Sequence, residues 1–410
     1  MPKYLVSMEM ENVSHIVGIL EIFETRGNEH YRFQYDDTWI NHPLGFSIDP
    51  LLDLRRGVPF IEGQLWGAFK DISPDRWGRF LQQRASAEYI SESGFMVGVS
   101  DTMRMGAMRI SLADDPQNHL SSHTNIPKFV MLSELMEAIK RVEEDDETPE
   151  DIRILLKPGA SLGGARPKAI MQDGGSMWIA KFPSQKDTRK VALWEALMLK
   201  MAGTVGIETP EYKVVSISRN SHVLLVKRFD RTATGGRIPF MSAMTLLGRH
   251  ENSENQGSYL EIAETFMNVA ANPSSDARQL WKRMVFNVLA GNTDDHLRNH
   301  GFLRTSSGWV LSPAYDLNPT DIPFEKRSHA LSFDGRINIP SLETCLSLSH
   351  YFRYDIKKEA MNDLELILDG ISSWKRMAKD VGLESGEISR MEKFFNVPYS
   401  VKNVRSVLKM

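Results

Sequence analysis

Apolar and polar positions alternate through much of the first hundred residues. KYLVSMEMEN, SHIVGILEIF and HYRFQYD read as strands, separated by polar stretches carrying Gly, Asn and Asp. The repeat lengthens at SPDRWGRFLQQRASAEYI, where a Ser cap, a first-turn Pro and helical apolar spacing predict a helix. FMVGVSDTMRMGAMRISL suits a short helix and a closing strand. ADDPQNHLSSHTNIP turns polar, which predicts a loop and a boundary near 111–127. MLSELMEAIKRVEEDDETPEDIRILL reads as helix, acidic break, helix, with EEDDE as a solvated face or loop.

A new pattern begins near residue 157. KPGASLGGARPKAIMQDGGSMWIAKFPS predicts a glycine-rich loop, a strand, a Gly-Gly turn and a second strand ending in Lys181. A helix follows in DTRKVALWEALMLKMAG, with Val191, Trp194, Met198 and Met201 on one face and Gly203 beyond its end. YKVVSI and HVLLVKRFD read as strands paired around the turn SRNS. Helical repeats dominate after residue 230, apart from the hairpin-like GFLRTSSGWVLSPAYD. A small β-rich lobe followed by a larger helical one, behind a separate β-rich N-terminal region, predicts an α+β fold.

A chain of 410 residues exceeds what one hydrophobic core usually serves, so two or three cooperating units are expected. With 41% apolar and 25% charged residues the composition is that of a globular protein. A net charge of −4 supplies no global basic field for nucleic acid. The local basic cluster Lys393, Lys402, Arg405 and Lys409 reads as a solvated tail. Cys345 is the only cysteine, so an intramolecular disulfide and a Cys-built structural zinc site are both excluded. Neither a long apolar run nor a basic leader is present, so a cytoplasmic protein without membrane attachment is expected.

Chemistry concentrates in GNTDDHLRNHGF, Gly291 to Phe302. Leu280, Trp281, Met284, Val285, Val288 and Leu289 predict a buried helical stripe that Gly291 stops, so the loop projects from a rigid element. Phosphoryl transfer needs a carboxylate to take the acceptor's hydroxyl proton and oxygen ligands to hold Mg2+ against the phosphates. Asp294 suits the first role. Asn299, five residues on, and Asp316, one hairpin later, suit the second. The Asp-to-Asn spacing matches the catalytic loop of protein kinases, with Asn292-Thr293 where His-Arg is usual. The string is closer still to the Asp-Arg-His-x-x-Asn loop of phosphoinositide kinases.

Upstream residues extend the pattern. Lys181 ends an apolar strand, where a kinase lysine reaches the α- and β-phosphates. Glu195 is placed on the next helix to pair with it. Gly159, Gly163 and Gly164 can bring backbone N–H groups close to phosphate oxygens. VKRFDR would be an inter-lobe connector whose backbone bonds the adenine, with Phe229 near the base. Each feature also has a plainer reading: a surface lysine, an exposed helix glutamate, a tight turn, strand-end charges. His296 and His300 have the i, i+4 spacing of a zinc helix, but the Glu after the first His is missing and they follow a helix stop. The order of the links, rather than any one of them, points to an ATP-dependent kinase site. It predicts a bilobal protein-kinase-like fold: an N-terminal subdomain over 1–110, a linker with helices over 111–156, an N-lobe over 157–230 and a helical C-lobe over 231–410.

At these residues the chain resembles the HipA-type serine/threonine kinases, the toxin halves of bacterial type II toxin–antitoxin modules. The resemblance runs through SLGGARPKAIM, WIAKFP, VKRFDR, NTDDHLRNHGF and SPAYDLNP, roughly 157–330, and FKDISPDRWGRFL is similar to the family's N-terminal subdomain. It implies Asp294 as catalytic base, supported by Lys181 and Glu195. It implies ATP contacts from Gly163, Gly164, Ala165, Arg166, Pro167 and Lys168, and adenine contacts from Lys227, Arg228 and Phe229. His296, Leu297, Arg298, Asn299, Tyr315 and Asp316 would surround the nucleotide, with Asn299 and Asp316 on Mg2+. Ser161 falls where the family carries its autophosphorylated serine, and added negative charge there should disfavour ATP. Arg166 and Pro167 stand where relatives often have Glu and Gln.

The resemblance further implies an aminoacyl-tRNA synthetase as substrate. The implied partner is a small HipB-like helix-turn-helix antitoxin whose dimer bridges two kinases, so that DNA is met mainly through the antitoxin. Two other functions fit the residues. One is a lipid or small-molecule kinase with the same catalytic loop, which the absence of a basic, apolar membrane face disfavours. The other is a non-catalytic nucleotide-binding partner of an antitoxin.

Overall fold

The computed structural model describes residues 2–57, 59–120, 126–156, 166–251, 253 and 256–407. Two compact units divide the chain, Met1–Lys186 with Leu225–His250 and Asp187–Leu224 with Glu251–Met410. The division crosses the segment expected as an N-lobe: Lys181 falls in the first unit and Glu195 in the second.

In the first unit the alternating segments form a six-stranded antiparallel sheet, β4-β3-β2-β1-β5-β6 in spatial order. The strands are β1 Lys3–Met10, β2 Val13–Thr25, β3 Asn28–Tyr35, β4 Phe60–Glu62, β5 Met108–Leu112 and β6 Asp115–His119. Period-two placement buries Val6, Met8 and Met10 of β1 together with Tyr31, Phe33 and Tyr35 of β3. A Cβ on Gly18 would stand 2.2 Å from the Gln34 carbonyl oxygen, so glycine is what lets β2 approach β3 there. β6 lies inside the stretch read from sequence as a polar loop. It is an edge strand with an irregular register at Ser111/Leu112, and its Pro116 and exposed polar side chains carry no apolar signal.

The helix expected to be capped by Ser73 starts later, at Arg76–Ala85. Ser73 Oγ instead donates to the Phe69 carbonyl at 2.8 Å, behind the short helix Gly67–Asp71, and Asp75 caps the longer helix through Gly78 N–H at 2.8 Å. It stops at Ala85 rather than near Ile90, and a second helix, Glu92–Gly98, follows. The acidic break is as expected, between helices Leu132–Glu143 and Pro149–Leu156. The Gly-Gly turn joins β7 Lys168–Asp173 to β8 Ser176–Lys181 with φ of 54° and 81°, the positive pair a tight hairpin turn requires.

The second unit is largely helical. Helix Val191–Thr204 is buried nearly all round, wider than the stripe expected, and runs through Gly203 before Gly206 turns the chain at φ 77°. Its Trp194 donates from Nε1 to Glu387 at 2.9 Å and lies against Trp374 and Phe395. The 18-residue helix Pro273–Ala290 threads the unit's core, and Trp281 donates from Nε1 to the Cys345 carbonyl at 2.8 Å. The hairpin Gly301–Thr305/Gly308–Leu311 follows it. Among the described residues no helix is long and apolar enough to cross a membrane.

Tyr35 ties the first unit's sheet to the chain beyond it. Its hydroxyl donates to the Leu52 carbonyl at 2.7 Å and accepts from Ile48 N–H at 3.0 Å, both buried. Tyr35→Phe is expected to cost about 1–3 kcal/mol by leaving both backbone groups unsatisfied. Denaturant unfolding of wild type and variant measures it.

Candidate active site

The loop built by GNTDDHLRNH begins where helix Pro273–Ala290 is stopped. Gly291 adopts φ 77° and donates its N–H to the Asn287 carbonyl at 2.9 Å. A side chain there is barred twice, by that conformation and by Arg327, whose guanidinium would lie 2.7 Å from an added Cβ. Arg327 is buried and donates to the Val288 carbonyl at 3.2 Å, to the Ile322 carbonyl at 3.1 Å and to the Phe394 carbonyl. Burial pulls it down to about 10, and its cation stands at the negative end of the helix dipole.

The paired aspartates have opposite fates. Asp295 is 2% exposed, and its carboxylate accepts the Tyr259 hydroxyl and faces His300 Nε2 at 3.2 Å. Burial pushes the Asp295 carboxyl up, but the His300 charge, the His300 and Tyr259 hydrogen bonds and His329 bring it below its ordinary value. The Tyr259 hydroxyl, sealed beside that carboxylate, is held well above the usual tyrosine range. Asn287 donates to the Tyr259 oxygen at 2.9 Å and accepts from Asn292 at 3.2 Å, and Asn292 accepts from Asn318 N–H at 3.3 Å. Asp294, one residue earlier, is exposed.

Asn299 donates from Nδ2 to the Asp294 carbonyl at 2.9 Å, so the amide oxygen, the atom a cation takes, is not consumed by that bond. The Tyr315 hydroxyl donates to the Arg298 carbonyl at 2.6 Å, tying the residues just before Asp316 and Asn299 to each other. Asp316 itself has φ 57°, a left-handed conformation in which a non-glycine residue marks a constrained position. Among the described residues no cluster of three or more His, Cys, Asp or Glu could hold a metal. One amide oxygen and one carboxylate fit the habit of Mg2+, which completes its shell with phosphate oxygens and water. His296 and Arg298 are half-buried and Leu297 is buried. Arg298 pairs with Glu251 at 3.4 Å.

In the first unit, Lys181 ends β8 opposite Lys168 in the β7–β8 register, and Pro167 accepts the Phe182 N–H at 3.0 Å. Lys168 is 4% exposed and salt-bridged to Asp75, so its charge is spent inside the unit. Arg228 is likewise turned inward, onto Asp230. Any nucleotide contact from these two positions falls to the main chain. Lys227 lies 5.9 Å from the Trp178 ring centre, and Phe229 is beside Phe240. Arg166 is exposed. Ser161, Gly163, Gly164 and Ala165 lie outside the described residues. In the second unit Glu195 is 3% exposed. The residues that sequence reasoning missed are the loop's anchors Tyr259, Asn287, Asp295, His300 and Arg327. Asn287, polar within the apolar run VFNVLA, was the one local signal.

His329 is buried near Asp295, Arg327 and the Phe333 ring, and burial lowers it to about 4. The folded state therefore refuses a proton that the unfolded chain accepts below its ordinary 6.5. Its contribution is complete above that value and is lost as pH falls from 6.5 to about 4. His329→Gln is expected to flatten the stability–pH curve across that window, measured by unfolding at a series of pH values.

The sequence profile of the HipA-like C-terminal domain matches residues 160–391, more than half of the chain. Y4dM of Sinorhizobium fredii, which carries a kinase name, is 30% identical over 216 residues, 44% of this chain and 51% of that protein. The serine/threonine-protein kinase toxin HipA of Shewanella oneidensis is 25% identical over 234 residues, 48% of this chain and 53% of that protein. The chain spans about half the length of these curated relatives. In fold it is similar to a chain from the solved Shewanella oneidensis MR-1 complex of HipA, HipB and operator DNA. There the TM-score is 0.68 at 18% identity, over 95% of both chains. The profile match covers the candidate loop and the hairpin beyond it, and by that match the chain belongs to the HipA-like family.

Proposed function

We propose that this chain is an ATP- and Mg2+-dependent protein serine/threonine kinase acting as a toxin, with a bilobal kinase-like fold behind an N-terminal subdomain. One observation carries the reading: a loop that buries Asp295 to hold itself rigid while leaving Asp294 exposed, its backbone held by Asn299. Bound ATP and Mg2+ supply the transferable phosphoryl group and the charge neutralisation its transfer needs. Asp294 orients the acceptor hydroxyl and holds the proton it releases. The Asn299 amide oxygen and the Asp316 carboxylate hold the cation. Lys181 engages the phosphates. The main chain of 163–168 cradles the phosphates, and that of Lys227–Phe229 meets the adenine edge.

Family membership supports three further assignments. Ser161 is the autophosphorylation site that silences the enzyme. The substrate is an aminoacyl-tRNA synthetase in the cytoplasm. The partner is a HipB-like helix-turn-helix antitoxin whose dimer holds two kinases and carries the DNA contact. A relative's solved complex contains HipB and operator DNA, which favours this partner.

Incubated with Mg-ATP and host lysate, the wild type is expected to transfer phosphate to protein. Asp294→Ala should lose at least about 100-fold in rate, the scale of a general base, with its unfolding temperature kept. Intact mass and phosphosite mapping read both. A wild type that neither transfers nor hydrolyses removes the enzyme reading, and phosphate found only on inositol lipids replaces it with a lipid kinase. Growth arrest that survives Asp316→Ala would favour a non-catalytic partner.

A further inference from the structure

The segment that follows strand His222–Lys227 alternates in burial. Lys227 and Phe229 are half-buried, whereas Arg228 is 3% exposed and Asp230 0%. Arg228 and Asp230 turn into the same interior, where Arg228 Nε and Nη2 both bond the Asp230 carboxylate, while Lys227 and Phe229 keep part of their surface in solvent.

That inward face is saturated with charge. The Asp230 carboxylate accepts Gly106 N–H at 2.7 Å, Arg228 Nε at 2.9 Å and Nη2 at 2.6 Å, and Arg231 Nη1 at 2.7 Å. Arg228 also donates to the carbonyls of Met103 at 3.0 Å and Arg104 at 2.7 Å. Arg231 donates to those of Gly106 at 3.1 Å, Arg104 at 2.9 Å and Thr102 at 3.3 Å. Four carbonyls of one loop are thus read by two guanidiniums of the connector stretch VKRFDR. The loop is tied in turn to the sheet. Arg109 on β5 bonds Asp101 at 2.6 Å and Glu9 on β1 at 2.9 Å, and Arg237 bonds Asp101 at 2.8 Å. On the other side, Arg228 N–H donates to the Met177 carbonyl of β8 at 2.9 Å.

Burying this many charges is a poor way to add stability, because desolvation offsets most of the Coulomb gain. What such a network does supply is a single backbone geometry, since the planar guanidinium forks fix the directions in which carbonyls and carboxylate must lie. Main-chain recognition of a base edge needs its N–H and C=O groups placed to within a fraction of an ångström.

We propose that Arg228 and Asp230 are positioning residues through which the N-terminal sheet sets the geometry of the adenine-holding connector. The inference rests on the kinase reading above. It makes the N-terminal subdomain a structural component of the nucleotide site: a change in the loop 102–106 alters ATP affinity through the connector without touching nucleotide. Asp230 is held ionised by Arg228 and Arg231 against the opposing effect of its burial, in keeping with a latch that stays closed through the physiological pH range.

The test uses the full chain with Asp230→Asn, and Arg231→Lys as a milder opening of the same latch should the first not fold. Affinity for a fluorescent ATP analogue, KM for ATP, kcat and amide exchange at 227–229 are measured. Both variants are expected to lose about tenfold in nucleotide affinity, with KM for ATP rising in parallel, kcat at saturation nearly kept and exchange at the connector faster. Arg79→Met, which breaks the Arg79–Glu92 pair elsewhere in the unit, is the control for plain destabilisation and should leave KM unchanged. Folded variants with wild-type nucleotide affinity, or with a loss confined to kcat, overturn the positioning role alone. A wild type that binds no nucleotide overturns the kinase reading and this inference together.

Discussion

Under the Tyr259 hydroxyl and the His300 imidazole, the Asp295 carboxylate is a charge that the fold must keep out of water. A buried carboxylate is tolerated only where donors replace its lost hydration, and here Tyr259, steadied by Asn287, and His300 replace it. Because successive residues of an extended loop point to opposite sides, sealing Asp295 inward turns Asp294 outward. The exposed aspartate gets its position from the buried one. An isolated loop of this composition would sample many conformations. This one is joined to helix Pro273–Ala290 through Asn287 and Asn292, to Asn318 through the latter, and to Ala330 through the Thr293 carbonyl.

Arg327 performs the corresponding task for the helix end. A guanidinium has five donors in a rigid fork, so one side chain can gather carbonyls from segments far apart in the chain. Arg327 gathers Val288, Ile322 and Phe394, which fixes where the helix terminates relative to the chain beyond the hairpin. Gly291 is the consequence, being the residue that permits both the left-handed turn and the passage of the guanidinium. The Asp316 segment is then joined to the loop through Tyr315 and Arg298, which brings the two candidate cation ligands into one framework.

The first unit uses the same device around Asp230. In both units a buried carboxylate is ringed by donors, and the residues beside it that keep access to solvent are the exposed Asp294 in one case and the half-buried Lys227 and Phe229 in the other. Rigid polar anchors behind accessible groups are what a site needs when its function is orientation more than covalent work.

Much of this was legible in the chain itself. The alternation of β1 to β3, the Gly174-Gly175 turn between β7 and β8, the helix stop at Gly291 and the hairpin before Asp316 all follow from rules that act over a few residues: backbone sterics, side-chain period and apolar spacing. The Asp294…Asn299…Asp316 order is also local, as is the position of Lys181 at a strand end. Tertiary structure alone decided which aspartate of the pair is sealed, that Lys168 is committed to Asp75 ninety-three residues away, that Arg228 and Asp230 face inward, and that DPQNH is an edge strand. A charged side chain has no intrinsic preference for its partner. Its burial depends on whether distant segments bring enough donors or acceptors to replace water, and that sum exists only once the chain has folded.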